Sequence, residues 1–223
     1  MESRLVTVFG GSGFVGRHTV RALARAGWRI RVATRHPHLG FFLRPLGSVG
    51  QIGFIKCDVA DADSVMAAMA GSDAAVNLVG ILFQRGQSFE KVQAEGAEHI
   101  AKAVAAAGAR ALVHVSAIGA GAESHSDYAR TKAEGEAAVR AAFAEVVILR
   151  PSLIFGPEDS FFNKFANLAR FLPFLPLIGG GKTRFQPVLW AMWRLRSSRH
   201  WIWPRRAAAF MSWAGRPSTA SNS

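Results

Sequence analysis

A chain of 223 residues, half of them apolar, can bury one good core and is too apolar to be a disordered segment. Its formal charge of +12 invites a nucleic-acid partner, but six arginines beyond Leu189 carry half of that excess. The remaining basic residues read as scattered over a solvated surface, so no nucleic acid is expected. Cys57 is the only cysteine, which excludes a disulfide frame and a thiolate metal site. The seven histidines lack zinc-type spacing, with His36-Pro-His38 reading as an ordinary loop, so no metal is expected.

From the N-terminus, Arg4 leads almost at once into a strand-like run, which leaves no room for a signal or transit peptide. The run ends in a glycine turn, "FGGSGFVG", and then a helix on which Gly16, Val20, Leu23 and Gly27 share one face, with Gly27 placed to end it. Ile30–Thr34 is a second strand and "QIGFIKCDV" a third. A helix follows, with Asp61 or Asp63 at its start. "AAVNLVGIL" reads as a fourth strand, 89–107 as a helix, "RALVHVSAIG" as a fifth strand and 128–143 as a helix. "VVILRPSLIFGP" is a sixth strand running into a loop. Strands alternating with helices imply right-handed crossovers and a doubly wound parallel α/β sheet of the Rossmann type. The continuous apolar strands fit a sheet covered on both faces. No apolar stretch reaches the roughly 20 residues needed to span a bilayer, so a cytoplasmic protein is expected.

The chemistry gathers at the strand ends. Gly10, Gly13 and Gly16, with Phe14 and Val15 between them, form GxxGxxG at the first strand–helix junction. That turn needs glycine conformations, and the helix N-terminus offers N–H donors to a pyrophosphate. The second strand ends in Thr34-Arg35, where an NAD enzyme places an acid for the ribose 2′-hydroxyl. An arginine suits a 2′-phosphate, which favours NADP(H) and leaves NAD(H) as the alternative. Asp58, after the third strand, is placed to meet the adenine edge. Tyr128, the only tyrosine, stands four residues before Lys132, so both side chains share a helix face. An ammonium beside a phenol favours the phenolate, making Tyr128 a candidate acid/base. Ser116, ending the fifth strand, is placed to polarise a carbonyl.

These pieces resemble the short-chain dehydrogenase/reductase superfamily, in its extended or atypical branch, on "FGGSGFVG", "CDV", "NLVG", "HVSAIGA", "YARTK" and "LRPSLIFGP". The resemblance implies that Asp58 and Val59, then Leu78, Val79 and Gly80, and finally Pro151 line the dinucleotide. It implies Ser116, Tyr128 and Lys132 as the catalytic set. "LRPLGSVGQ", "VNLVGILF", "SDYARTKAEGE" and "PSLIFGPEDSFFNKFANLARFLP" are similar to the nucleotide-binding accessory subunits of NADH:ubiquinone oxidoreductase, respiratory complex I, and their bacterial relatives. That likeness implies NADP(H) held mainly as a structural group, with complex I subunits at the inner-membrane surface as partners. The alternative is an active oxidoreductase or epimerase acting on a small carbonyl or sugar-nucleotide substrate.

The domain expected from these signals spans residues 1–188. "SFFNKFANLARFLPFLPLIGGG" reads as a core-facing helix and loop at the start of a substrate lobe, with docking on a partner or membrane as the alternative. From 189 to 223 the text changes character: five tryptophans and six arginines fall in no helical period, and no acid appears. With alanine taken as GCG and arginine as CGN, the codons from Trp190 shifted by one base read G-D-V-A, the continuation the family resemblance implies. Residues 189–223 are therefore expected to be a frameshifted, non-native tail, with the substrate lobe truncated and the tail poorly ordered.

Overall fold

The computed structural model describes residues 4–84, 86–159, 163, 170 and 188–189. The expected tail, apart from Leu189, and nearly all of the "SFFNKF" segment lie outside the described residues.

Strand β1 (Leu5–Phe9) leads into helix α1 (Phe14–Arg25), then β2 (Arg29–Thr34). A run of 3₁₀ turns, Pro37–Leu46, connects to β3 (Ile52–Lys56) and α2 (Ala62–Met69). After β4 (Ala74–Asn77) a π-type turn, Glu90–Glu95, opens α3 (Gly96–Ala106). The chain continues through β5 (Ala111–Val115), α4 (Asp127–Ala142), β6 (Val147–Leu149), β7 (Ile154–Phe155) and β8 (Val188–Leu189). β3-β2-β1-β4-β5-β6 form one six-stranded parallel sheet, the doubly wound order expected. Its two halves diverge between β1 and β4, which opens a crevice at the carboxyl ends of those strands.

Local chemistry explains the boundaries. Gly27 has φ +82° and stops α1, as the sequence required. Asp61 caps α2 by accepting hydrogen bonds from the Asp63 and Ser64 amides. Both faces of the sheet are covered. One carries Val6, Val8, Val20, Leu23, Ile30 and Leu43 under α1 and the 3₁₀ turns. The other packs Phe9, Val65, Met69, Ile100, Leu112 and Val139 under α2, α3 and α4.

Three elements differ from the sequence reading. The loop expected around His36-Pro-His38 continues into the ten-residue 3₁₀ run, anchored by fully buried Leu43. The helix expected over 89–107 begins as the π-type turn, where Gly96 fits against Val59 and a Cβ would stand 2.9 Å from its methyl. The long sixth strand is split. β6 ends at Leu149, because Pro151 has no amide for a ladder, and β7 pairs instead in parallel with β8. Among the described residues no helix is long and apolar enough to cross a membrane, and no cluster of His, Cys, Asp and Glu could hold a metal.

Candidate functional site

The glycine turn is built by close packing. Gly10 has φ +77°, and a Cβ there would lie 3.2 Å from the Leu78 carbonyl carbon and the Val79 nitrogen. Gly16 is tighter: its Cβ would stand 2.3 Å from the Gly10 oxygen, so only glycine lets α1 seat on the turn. Gly13 is different, because it is exposed and its Cβ would meet only the Gly10 oxygen, at 3.3 Å. It caps α1 in an extended conformation, and the first turn of α1, with Phe14 and Val15, contains no acid to compete for the helix amides. The cradle is shaped for a pyrophosphate.

Each of the other expected residues also lies at the carboxyl edge of the sheet. Arg35 is exposed directly after β2. Asp58 and Val59 follow β3; one Asp58 oxygen accepts from the Ala60 amide, and the Val59 carbonyl meets the His99 ring at 2.9 Å. Leu78, Val79 and Gly80 follow β4, and Ser116 follows β5 with its amide donating to the Leu149 carbonyl at 2.8 Å. Pro151 follows β6, its carbonyl accepting from Ile118 at 2.9 Å.

Lys132 draws these loops together. It is buried, and its Nζ donates to the carbonyls of Val79 and Val115, both at 3.4 Å, beside Gly80. Burial pushes its ammonium down to about 8, although Glu136 opposes the shift. Tyr128 lies one helical turn earlier on α4, half-buried, with its ring edge-on to Phe89 at 5.9 Å. Here the structure departs from expectation. Burial raises the Tyr128 phenol above its ordinary value, and no hydrogen bond joins it to Lys132 or Ser116 among the described residues. The ammonium spends its donors on carbonyls instead.

Behind this edge lies a polar cluster that the sequence did not disclose. Asn77 accepts from the Val79 amide through Oδ1, so its Nδ2 donates to His114 Nδ1, at 3.1 Å. That network assigns the His114 proton to Nε2, a buried atom without a partner. Burial, then Lys132, push His114 down to about 4, so the ring is neutral. Glu136 is buried and grips Arg150 with two bonds of 2.7 Å, while Arg140 joins at 3.1 Å. Burial works to raise the Glu136 carboxyl; Arg150, the Ser116 hydroxyl and Arg140 outweigh it and hold it below the usual range. The Ser116 Oγ is itself buried without a hydrogen bond of good geometry. Tyr128, Lys132 and Glu136 repeat every four residues on α4, a spacing that could have revealed Glu136. Asn77 and His114 sit inside strands that read as plain apolar core.

The sequence of the NAD dependent epimerase/dehydratase family matches residues 6–216. The chain belongs to that family. Subunit 9 of the NADH dehydrogenase [ubiquinone] 1 alpha subcomplex of Mus musculus, a mitochondrial protein, is 41% identical over 187 residues, covering 82% of this chain and 49% of that protein. A ceramide reductase of Caulobacter vibrioides is 36% identical over 175 residues, 78% of this chain and 54% of its own length. The chain thus spans about half the length of the curated relatives it matches. Among solved structures, the dTDP-glucose 4,6-dehydratase DesIV of Streptomyces venezuelae, crystallised with NAD bound, superimposes with a TM-score of 0.72 at 23% identity, over 87% of this chain and 70% of that one. That likeness shows the shared fold. Family and cradle together make this a nicotinamide-dinucleotide-binding protein.

Proposed function

We propose that the chain holds NADP(H) mainly as a structural group, as an accessory subunit of a complex I-type NADH:ubiquinone oxidoreductase does, on the surface of the inner membrane. The observation that carries this reading is the divorce of Tyr128 from Lys132. The site is shaped to grip a dinucleotide, while the phenol is held protonated and unlinked to either partner it needs for proton transfer. The 41% identity to a complex I subunit supports the same reading. Gly10, Gly13 and the α1 amides take the pyrophosphate, Arg35 faces the ribose 2′-phosphate, and Asp58 with Val59 borders the adenine. Leu78, Val79, Gly80 and Pro151 line the remainder. Residues 189–223 belong, in this proposal, to a shifted reading frame, which resequencing the coding DNA around Val188 tests.

Ser116 favours a second reading, an active oxidoreductase or epimerase working on a carbonyl or sugar-nucleotide substrate. Its buried hydroxyl makes no well-aligned hydrogen bond and lies beside the Glu136 carboxylate, from which it can turn to donate to a carbonyl oxygen. A bound nicotinamide supplies or accepts hydride. Tyr128 gives or takes the proton at the same oxygen, and Lys132 must leave its carbonyls to support it.

Titration calorimetry with both cofactors tests cofactor choice. NADPH is expected to bind more tightly than NADH, with Arg35→Ala shrinking the gap by about tenfold, the worth of one charge-assisted contact. Tighter NADH binding by the wild type defeats the NADP(H) assignment. Tyr128→Phe separates the two roles: a structural subunit keeps both nucleotide and assembly, whereas a turnover defect caused by that change identifies an enzyme.

A further inference from the structure

The basic residues are not scattered as the sequence suggested; the acidic ones are segregated. Between Glu2 and Asp58 the chain carries nine lysines and arginines and not one acid. The fold then gathers much of that stretch onto one side of the sheet, where α1 and the 3₁₀ run lie over the same core. Arg21 and Arg25 share the outer stripe of α1. The two elements are clasped by the Arg17 guanidinium over the Phe42 ring, 5.0 Å from its centre. Arg44 lies over Phe41 at 4.0 Å and stays exposed. Arg21, Arg25 and Arg44 have no acidic partner among the described residues, whereas Arg17 is within 3.7 Å of Glu158.

Large apolar side chains stand among these cations. Leu39 is 63% exposed and Phe42 47%, and Val49 projects fully from the turn before Gly50. Val49 and Arg25 line one open groove with Gly27 and Gln51. Apart from the Arg17 guanidinium over one face of Phe42, nothing among the described residues covers these side chains. Apolar side chains mixed with arginines that have no acidic partner do not present the charge-depleted centre of a protein–protein interface. They suit a fluid surface that accepts apolar groups between its headgroups and meets each cation with a phosphate.

We infer that the α1/3₁₀ face is a docking surface for anionic phospholipid, with Leu39, Phe42 and Val49 entering the headgroup layer and Arg21, Arg25 and Arg44 meeting phosphates. Arg21 and Arg25 sit in the second half of α1, two and three turns beyond the glycine cradle at its start, so their loss should leave nucleotide binding intact.

Flotation of the full chain with vesicles tests this, using pure phosphatidylcholine and phosphatidylcholine mixed with phosphatidylglycerol. Binding is expected only to the mixed vesicles and is expected to fall with salt. Arg21→Glu with Arg25→Glu should weaken it by at least about twenty-fivefold, at roughly fivefold per arginine removed. Leu39→Ser with Val49→Ser alters only exposed side chains, so the fold survives, and should weaken binding to both salt-treated and untreated mixed vesicles. Both variants keep NADPH affinity. Unchanged vesicle binding in both variants places any lipid contact elsewhere, in the arginine-rich C-terminus for instance, and overturns the inference. So does a wild type that ignores mixed vesicles, whether it pairs with a second copy through its acidic half or retains single-stranded DNA instead.

Discussion

The two halves of the sheet are chemically opposite. The β1-β2-β3 half, up to Lys56, has cations only, whereas residues 58–159 carry fourteen acids against eight lysines and arginines. The first half contributes the glycine turn, the α1 amides and Arg35, which are backbone and positive charge. The second contributes Ser116 together with the buried or half-buried titratable groups Tyr128, Lys132, His114 and Glu136. The difference separates two jobs. A half that must receive phosphate is kept free of carboxylate, and a half that must handle protons needs groups of both signs held close.

The largest effect expected lies in the first half, where two glycines of one motif should fail differently. Gly16→Val drives a side chain into the Gly10 and Gly11 backbone and should cost about 3 kcal/mol of stability or more, with nucleotide binding lost as a consequence. Gly13→Val meets one carbonyl oxygen at 3.3 Å and should cost far less stability than Gly16→Val, while affinity for NADPH drops on the order of a hundredfold. Equal losses of stability in the two variants would erase the distinction between packing and cradle.

In the second half, pH resolves the buried bases. Lys132 titrates near 8 when folded against 10.5 as the reference, so between those values the unfolded chain binds more protons and stability rises with pH. Denaturant titrations should show that rise, about 3 kcal/mol, in the wild type and not in Lys132→Met. His114 acts at the other end. Its folded value of about 4 lies below the reference 6.5, so stability falls as pH drops through that window, again by about 3 kcal/mol. His114→Gln should flatten this acid limb; an unaltered limb would place the acid sensitivity elsewhere.

The smallest effect contrasts two ion pairs of the second half. Lys102 and Glu98 meet at 2.6 Å on the exposed side of α3, and Lys102→Ala should cost no more than about 0.5 kcal/mol. Glu136→Gln disturbs a buried carboxylate and should cost several times as much, roughly 2–3 kcal/mol, even though Arg150 and Arg140 reach solvent. A double-mutant cycle between Glu136 and Arg150 measures how much of that is mutual.

What could be read in advance follows from the kind of constraint involved. The six-strand order and the cradle were legible, because apolar strands, helix caps and glycine turns are local requirements written in adjacent residues. Tyr128 and Lys132 were legible as a spacing, but the state of the phenol was not, since it follows from burial by the folded chain, and the ammonium is held by carbonyls of Val79 and Val115 that follow or end other strands. His114 and Asn77 were hidden for the same reason. Each is one polar residue in a run that must otherwise be apolar, and only the register of β4 on β5 sets them side by side. The break after Leu149 could have been foreseen from Pro151, whose missing amide outweighs the β-branched residues around it.

The position of β1 has a consequence for how the chain is made. It precedes the other five strands of the sheet in the chain, yet it lies in the middle, between β2 and β4. As the polypeptide leaves the ribosome, β2 and β3 can zip onto one side of β1 while its other edge waits for Ala74–Asn77. During that interval a strand of apolar residues shows open N–H and C=O groups to any neighbour. The acid-free character of residues 3–57 then acts as protection, because up to Asp73 the nascent chain carries nine cations against five acids, and copies with that net positive charge repel one another until β4 arrives and closes the edge.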